Sequence, residues 1–569
     1  MTTFRSGAEL LCDALEQAGV EFVFGVPGTQ TVEIYDALRS SRIRAVVPTH
    51  ELAAAFMANG YARASGKPGV ILTISGPGVA FVPAGLAEAR LDGVPLVHFS
   101  IAPATGPTAE PSFQAFDQAA LLRPLVKGAF RANGRSDIPS VVREALALAA
   151  APDPGPVFVE FAPPALREQG VGIEAFTAAA VATEREPNSH SLDAILDALS
   201  AAQRPVLLVA CDCSESAESL ATLAAAGRLP IVVPTPHRGV LPEDDPWTVC
   251  SDDQRTSFNR IQEFVASADL VVVLGTRLTH VATAGFCLAL APERVVCVSD
   301  TGSTLPHGYS ARLIAGCAPK EFLSRAMSVA TRFVSTWSGD ELAKWQQRFA
   351  AEKPADPPEP LVNGGTPASF FAALRAALPR NAILVTDSGL HQVLTRRHFQ
   401  VLAPRGFIFP SEFQSMAFGL PAALGAKLAA PSRPVVVVIG DGGFAMSGLD
   451  LLTAARDSIP VVVIVFNDGQ LNLIRLQQAR EFGRSHGVEL LVPDLAQFAR
   501  AVSVGYGAAD DDLARVVRGA LSSPAPTLVE VIVSDSRSIL GVRAKSLARE
   551  TVRRAIGQRA VSWLKRRLG

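Results

Sequence analysis

Pro434-Val435-Val436-Val437-Val438-Ile439-Gly440-Asp441-Gly442-Gly443 carries an unbroken β-branched run straight into an aspartate set between glycines. Such a run reads as a strand buried on both faces, as in parallel sheets. Asp441 then falls where its carboxylate would leave the strand's C-terminal edge, and Gly442 and Gly443 let backbone approach a phosphate. A helical stretch from Leu449 to Asp457 leads through Pro460 into a second buried strand, Val461 to Phe466, which ends in Asn467-Asp468-Gly469. With the two strands as parallel neighbours, Asp468 emerges beside Asp441. Two hard oxygen ligands at one sheet edge suit Mg²⁺, which binds few protein carboxylates and completes its octahedron with phosphate and water.

Two other readings compete. A lone Gly-Asp-Gly is often just a turn. Gly440-x-Gly442-x-x-Ala445 also fits a dinucleotide fingerprint, but that motif wants an acidic residue about 20 positions on. Asp457 lies inside the predicted helix and Asp468 comes too late.

The pair of motifs resembles the cofactor signature of thiamine diphosphate enzymes, a Gly-Asp-Gly followed one helix-and-strand unit later by Asn-Asn or a variant. The resemblance spreads along the chain. Gly25-Val26-Pro27-Gly28, Thr49-His50-Glu51, Asn59-Gly60-Tyr61-Ala62-Arg63-Ala64 and Ser75-Gly76-Pro77-Gly78 are similar to the pyrimidine-binding domain of acetolactate synthase and its relatives. Phe113-Gln114, Gly389-Leu390-His391-Gln392 and Met416-Ala417-Phe418-Gly419-Leu420-Pro421 continue it.

Composition agrees with a large α/β protein. The 569 residues are too many for one core and suggest three domains. Strand-like runs alternate with helical stretches throughout, which predicts three doubly wound parallel-sheet domains at 1–165, 190–335 and 366–535, with polar, proline-bearing linkers between them. A net charge of −2 gives no reason to expect nucleic acid. Seven scattered cysteines argue against a disulfide framework and for a reducing cytoplasm. The N-terminus lacks an apolar signal core, and no apolar stretch reaches the roughly 18 residues of a membrane span. The segment 536–569 is basic with a partial apolar face and reads as an amphipathic helix.

The resemblance implies roles for individual residues. Glu51 would hydrogen-bond a ring nitrogen of the cofactor's aminopyrimidine, a task that favours a poorly solvated carboxyl; capping of the helix from Leu52 to Ala64 is the simpler alternative. Gln114 joins Glu51 and Met416 as a catalytic candidate. Met416 matches the position of the wedge that holds the cofactor bent, although a methionine also fills ordinary core gaps. Backbone groups of Gln414 and Met416 would anchor the pyrimidine. His391 and the amides of Leu390, Gly442 and Gly443 would reach the diphosphate, with Leu471 and Asn472 closing the cradle. Asp441, Asp468 and the Gln470 carbonyl would hold Mg²⁺ or another divalent cation; Asp468 stands where asparagine is more usual.

Departures from the acetolactate synthase pattern bear on substrate. The middle-domain arginine motif reads Gly275-Thr276-Arg277-Leu278-Thr279-His280-Val281, and the substrate-gripping tryptophan is replaced by Gln477. Arg475, Arg480, Arg484 and His486 are the basic candidates for meeting a carboxylate instead. Val209-Ala210-Cys211-Asp212-Cys213-Ser214-Glu215 lacks the glycines of flavin-binding relatives, so FAD is not expected. The resemblance therefore implies a thiamine diphosphate- and Mg²⁺-dependent enzyme that decarboxylates a 2-oxo acid and transfers the acyl carbanion to an aldehyde or ketone acceptor. Alternatives are a simple 2-oxo acid decarboxylase, a 2-hydroxyacyl-CoA lyase, for which the basic tail is the sole hint, and a flavin-using oxidase. It further implies a homodimer or homotetramer with active sites shared between chains.

Overall fold

The computed structural model describes residues 4–103, 113–171, 189–351, 360–509 and 512–534; the basic tail lies outside them. Three sheets follow one another along the chain, each built from short apolar strands with helices on both faces.

The first contains β1 (Phe22–Gly25), β2 (Arg44–Val46), β3 (Gly69–Leu72), β4 (Leu96–Ile101), β5 (Ala129–Ala132) and β6 (Pro156–Phe161). All pair in parallel, in the order β2-β1-β3-β4-β6-β5. The central sheet holds β7 (Pro205–Ala210), β8 (Ile231–Pro234), β9 (Thr248–Ser251), β10 (Leu270–Gly275), β11 (Val295–Ser299) and β12 (Leu313–Gly316), in the parallel order β9-β8-β7-β10-β11-β12.

In the third sheet, β13 (Ile383–Thr386), β14 (Phe407–Ile408), β15 (Val435–Gly440), β16 (Val462–Asn467) and β18 (Thr527–Ser534) run parallel in the order β18-β16-β15-β13-β14. β17 (Gly505–Ala508) pairs alongside β18, and Leu361–Val362 adds a short antiparallel edge. The two linker regions therefore hold some structure: Gln169–Val171 pairs antiparallel with Phe4–Ser6, and Leu361–Val362 caps the third sheet.

Each sheet has a switch point next to its first long strand: between β1 and β3, β7 and β10, and β13 and β15. A crevice opens at the carboxyl ends of the strands at each such point. The central crevice is a cavity of about 440 Å³, spanned by side chains of all three domains. Arg277 donates to Asp153 (2.7 Å) and to the Leu91 carbonyl, and Arg405 reaches Glu215 (3.3 Å).

Six helices position the functional side chains: α1 (Glu51–Ser65), α2 (Pro83–Asp92), α3 (Leu390–His398), α4 (Gly419–Ala429), α5 (Asp441–Ser447) and α6 (Asn472–Phe482). α1 and α4 join the first and third domains. A Cβ on Gly60 would lie 1.9 Å from the Ala422 carbonyl oxygen, and one on Gly425 would lie 1.9 Å from that of Met57. Only glycine lets the two backbones come so close. One apolar core runs through this seam, from Phe24 in β1 to Val463 in β16. The central domain is tied to the third by buried ions instead: Arg238 donates to Glu243 (2.6 Å), to Asp252 (3.0 Å) and to the Arg396 and Phe399 carbonyls, and Arg396 also reaches Asp252 (2.8 Å). Mutual pairing is what makes such buried charges tolerable.

Candidate active site

β15 and β16 are parallel neighbours with Gly440 opposite Phe466, so the chain leaves both strands at the same edge. Asp441 is buried, and its Oδ2 accepts from the backbone N–H groups of Asp468 (3.2 Å) and Gly469 (2.6 Å). Asp468 accepts from the Asn472 amide (2.6 Å) and the Gln470 N–H (3.1 Å). Burial lifts the Asp468 carboxyl to about 6, and the Asp441 charge pushes it the same way against the Asn472 hydrogen bond. Two adjacent carboxylates short of solvent are an environment that a divalent cation relieves.

Three helices begin at this edge after residues that give no side-chain cap, although Asp441 Oδ1 accepts from the Gly442 N–H (2.8 Å). Gly389 precedes α3, Gly440 precedes α5 and Leu471 precedes α6. Uncapped N–H groups and the positive ends of the helix dipoles favour an anion there. His391 sits among them, buried, and its Nε2 has no hydrogen-bond partner among the described residues. Burial holds the imidazole at about 3, opposed by a hydrogen bond with the Asp387 backbone. An anion opposite Nε2 would favour the protonated ring and convert that nitrogen into a donor. A Cβ on Gly440 would lie 2.9 Å from His391 Nδ1, and one on Gly442 would lie 3.3 Å from the Met416 methyl group. The glycines thus keep the cradle open between His391, Met416 and Leu471. A metal diphosphate fits this donor set.

The segment from Ser411 to Phe418 is held in an uncommon shape, with positive φ at Gln414 (62°) and Ala417 (67°). Such backbone persists only where its surroundings over-determine it, and three acidic residues do so here. Asp387 accepts from Ala417 N–H (2.9 Å) and Phe418 N–H (3.2 Å). Asp92, on α2 of the first domain, accepts from the Ser411 hydroxyl (2.6 Å) and the Glu412 N–H (3.0 Å). Glu88, one turn earlier on α2, accepts from Ser415 N–H (3.1 Å), while its Oε1 is buried without a partner among the described residues. Burial, aided by the charge of Asp92, pushes Glu88 up to about 8.

Sequence reasoning missed all three. Asp387 had a usable signal, an acidic residue directly after the strand Ile383-Leu384-Val385-Thr386. Glu88 stands alone among alanines in Leu86-Ala87-Glu88-Ala89.

Glu51 belongs to the other half. It opens α1 and is half-buried, while His50 performs the capping by accepting from Leu52 N–H (3.1 Å). Gln114 lies against the turn that follows β3, with a positive φ (63°), and accepts from Gln30. Among the described residues neither Glu51 nor Gln114 hydrogen-bonds Met416 or Asp441. α1 packs on Phe418 along its length: Phe56, five residues beyond Glu51, meets the Phe418 ring edge-on (5.4 Å between centroids), and Arg63 lies over it. Just before α1, Thr49 bonds Asp450 (2.7 Å), the tail of the helical run that Asp441 starts. Of the basic candidates, Arg475 is buried and donates to Asn472 (3.0 Å), next to Asp468. Arg480, Arg484 and His486 are exposed.

Comparison with known proteins matches this layout. Family models for the thiamine pyrophosphate enzyme N-terminal binding domain, central domain and C-terminal binding domain match residues 5–121, 192–325 and 387–531. Acetolactate synthase 1, chloroplastic, of Nicotiana tabacum is 28% identical over 555 residues, covering 94% of this chain and 83% of that protein. The acetolactate synthase isozyme 1 large subunit of Escherichia coli is 28% identical over 552 residues, covering 95% and 94%. The probable 2-ketoarginine decarboxylase AruI of Pseudomonas aeruginosa is 30% identical over 541 residues, covering 92% and 94%.

Proposed function

The chain belongs to the thiamine pyrophosphate enzymes, acetolactate synthase-like in sequence and catalysts of decarboxylation or carboligation, and from this we propose that it decarboxylates a 2-oxo acid and passes the acyl unit to an aldehyde or ketone acceptor. When bound, thiamine diphosphate supplies the electron sink for that chemistry. Asp441, Asp468 and the Gln470 carbonyl hold Mg²⁺ in this reading. His391 and the N–H groups of Leu390, Gly442 and Gly443 hold the diphosphate, with Leu471 and Asn472 closing the cradle. Gln414 and Met416 position the pyrimidine, and Met416 sustains the bend. Glu51 shares a proton with a pyrimidine ring nitrogen through its carboxyl. Gln114 faces the substrate. FAD is no part of this reading, since Val209 to Glu215 lacks the glycines of flavin-binding relatives.

The observation that carries this reading is the pair of poorly solvated carboxylates, Asp441 and Asp468, at the carboxyl edge of β15 and β16. Among the described residues Glu51 makes no hydrogen bond to Asp441, Asp468 or Gln414 of its own chain, and in this reading a second chain supplies the missing half. A two-fold pair would build two equal sites across one isologous interface. Phe81, which packs on His50 (4.5 Å between rings), and Met446, Leu449 and Leu452 beyond Asp441 are exposed large apolar residues available to such an interface.

Co-expression of Glu51→Gln chains with Asp441→Ala chains tests it. Each variant alone is inactive, but a mixed dimer carries both lesions in one site and leaves the other whole. CO₂ release from a panel of 2-oxo acids, with and without aldehyde acceptors, should return to as much as half per mixed dimer. Mixed dimers that form without recovering activity would refute the shared site. The decarboxylase likeness favours one second reading, release of the acyl unit as an aldehyde; product analysis without acceptor separates the two.

A further inference from the structure

Gln30 follows β1 and Ser75 follows β3, so the pair flanks the switch-point crevice of the first sheet, beside the strand that delivers Glu51. Ser75 N–H donates to Gln30 Oε1 (2.9 Å), and Gln30 Nε2 donates to Gln114 Oε1 (3.2 Å). A backbone N–H can only donate, so the Gln30 oxygen must face Ser75 and its nitrogen must face Gln114. That in turn requires the Gln114 oxygen on the Gln30 side. Gln114 Nε2 donates to no described group and is left pointing away from the pair. The next N–H, that of Gly76, is taken by Gln118 (2.8 Å), whose own amide nitrogen is spent on Glu160 (2.8 Å) and the Ile101 carbonyl (3.0 Å). Gln118 therefore offers Gln114 no competing arrangement. Gln114 is also pressed onto the turn: a Cβ on Gly76, where φ is +66°, would lie 2.5 Å from the Gln114 carbonyl oxygen.

We infer that Gln30 is a positioning residue that locks Gln114 with its amide N–H₂ turned into the crevice, as a donor for the carboxylate or carbonyl oxygen of the incoming 2-oxo acid. The inference rests on the reaction proposed above. Gln30 acts through Gln114 and sets the polarity that the first domain shows to the substrate.

Gln30→Glu separates this from a packing role. Glutamate keeps the volume and the acceptor for Ser75 but cannot donate to Gln114, which must then turn over and present its oxygen to another oxygen. In the holoenzyme, kcat/KM for CO₂ release from the best 2-oxo acid should fall about 10- to 100-fold, the range of a lost hydrogen bond to a charged group. Thiamine diphosphate affinity, measured by calorimetry with Mg²⁺ present, should be unchanged. In a Gln114→Ala background the same substitution should change kcat/KM by less than about twofold, because coupled residues are not additive. An equal loss in both backgrounds, or loss of cofactor binding, overturns the inference. Neutron diffraction from deuterium-exchanged wild-type crystals decides it without turnover or a variant that must fold. Deuterons on Gln114 Nε2 directed away from Gln30 support the assignment, and deuterons aimed at Gln30 overturn it. Should the wild type release CO₂ from no 2-oxo acid, the proposed reaction fails while the neutron map still settles the amide.

Discussion

In the first sheet the strands beside the switch point lead to Gln30 and Ser75, with Glu51 after the next strand; in the third they lead to Asp387 and Asp441, with Asp468 after the next strand. Both sheets place a first strand between its two successors and open a crevice beside it. The third surrounds its crevice with uncapped helix ends and paired carboxylates, which suits a metal and an anion. The first lines its crevice with one carboxyl and a chain of amides, which suits proton sharing and a polar substrate. Strand order thus decides where a ligand can sit, and the residues just past the strands decide which ligand.

The contrast breaks most completely at Asp441. Asp441→Ala leaves Asp468 alone against the metal, and saturable Mg²⁺-dependent binding of thiamine diphosphate should vanish in calorimetry; unchanged affinity would dispose of the metal assignment. Glu51→Gln strikes the other edge and should separate rate from binding. Turnover should fall by roughly 10²- to 10⁴-fold, the contribution of a positioned acid or base, while cofactor affinity stays near wild type. Near-normal turnover would show that Glu51 is only the first residue of a helix.

Smaller effects probe how the two regions are joined. Gly60→Ala forces a methyl group against the Ala422 carbonyl and should destabilise the protein by about 3 kcal/mol, seen as a lower melting temperature with or without cofactor. A neutral result would mean that the α1–α4 seam can relax. The mildest test is Glu88→Gln. A carboxyl that titrates near 8 when folded and near its ordinary 4.5 when unfolded takes up a proton on folding. Its stabilising contribution is present below the unfolded value and is lost as pH rises through about 8. The wild type should therefore lose melting temperature between pH 5 and 8 faster than Glu88→Gln, which still accepts from Ser415. Identical slopes would mean that Glu88 is charged throughout.

The strands were legible in the sequence because both faces of a parallel strand are covered, so runs such as Val435 to Ile439 and Leu270 to Leu274 carry no polar interruption. The adjacency of Asp441 and Asp468 was legible for the same reason, since neighbouring parallel strands deliver their ends to one edge. Glu88 and Asp92 were not. Both accept from backbone N–H groups more than 300 residues away, and a backbone donor leaves no mark in the sequence; Asp92 also pairs with Arg63, which no local pattern marks. The short helix at Asp441–Ser447 also escaped notice, because its two glycines read as a loop until Gly440 is seen leading straight into helical backbone. Gln30 was invisible as a partner of Gln114, since nothing local ties the two together.

The glycine seam between α1 and α4 also sets a timetable for biosynthesis. Ala422 leaves the ribosome 362 residues after Gly60. At the 5–20 residues per second of translation, that is a delay of roughly 20 to 70 s. Throughout it, the face of α1 that ends up buried against α4 has nothing to cover it, even after the first sheet is completed at Phe161. The nascent chain must be shielded from aggregation during that interval, and a strong translational pause between the central and third domains would prolong the exposure.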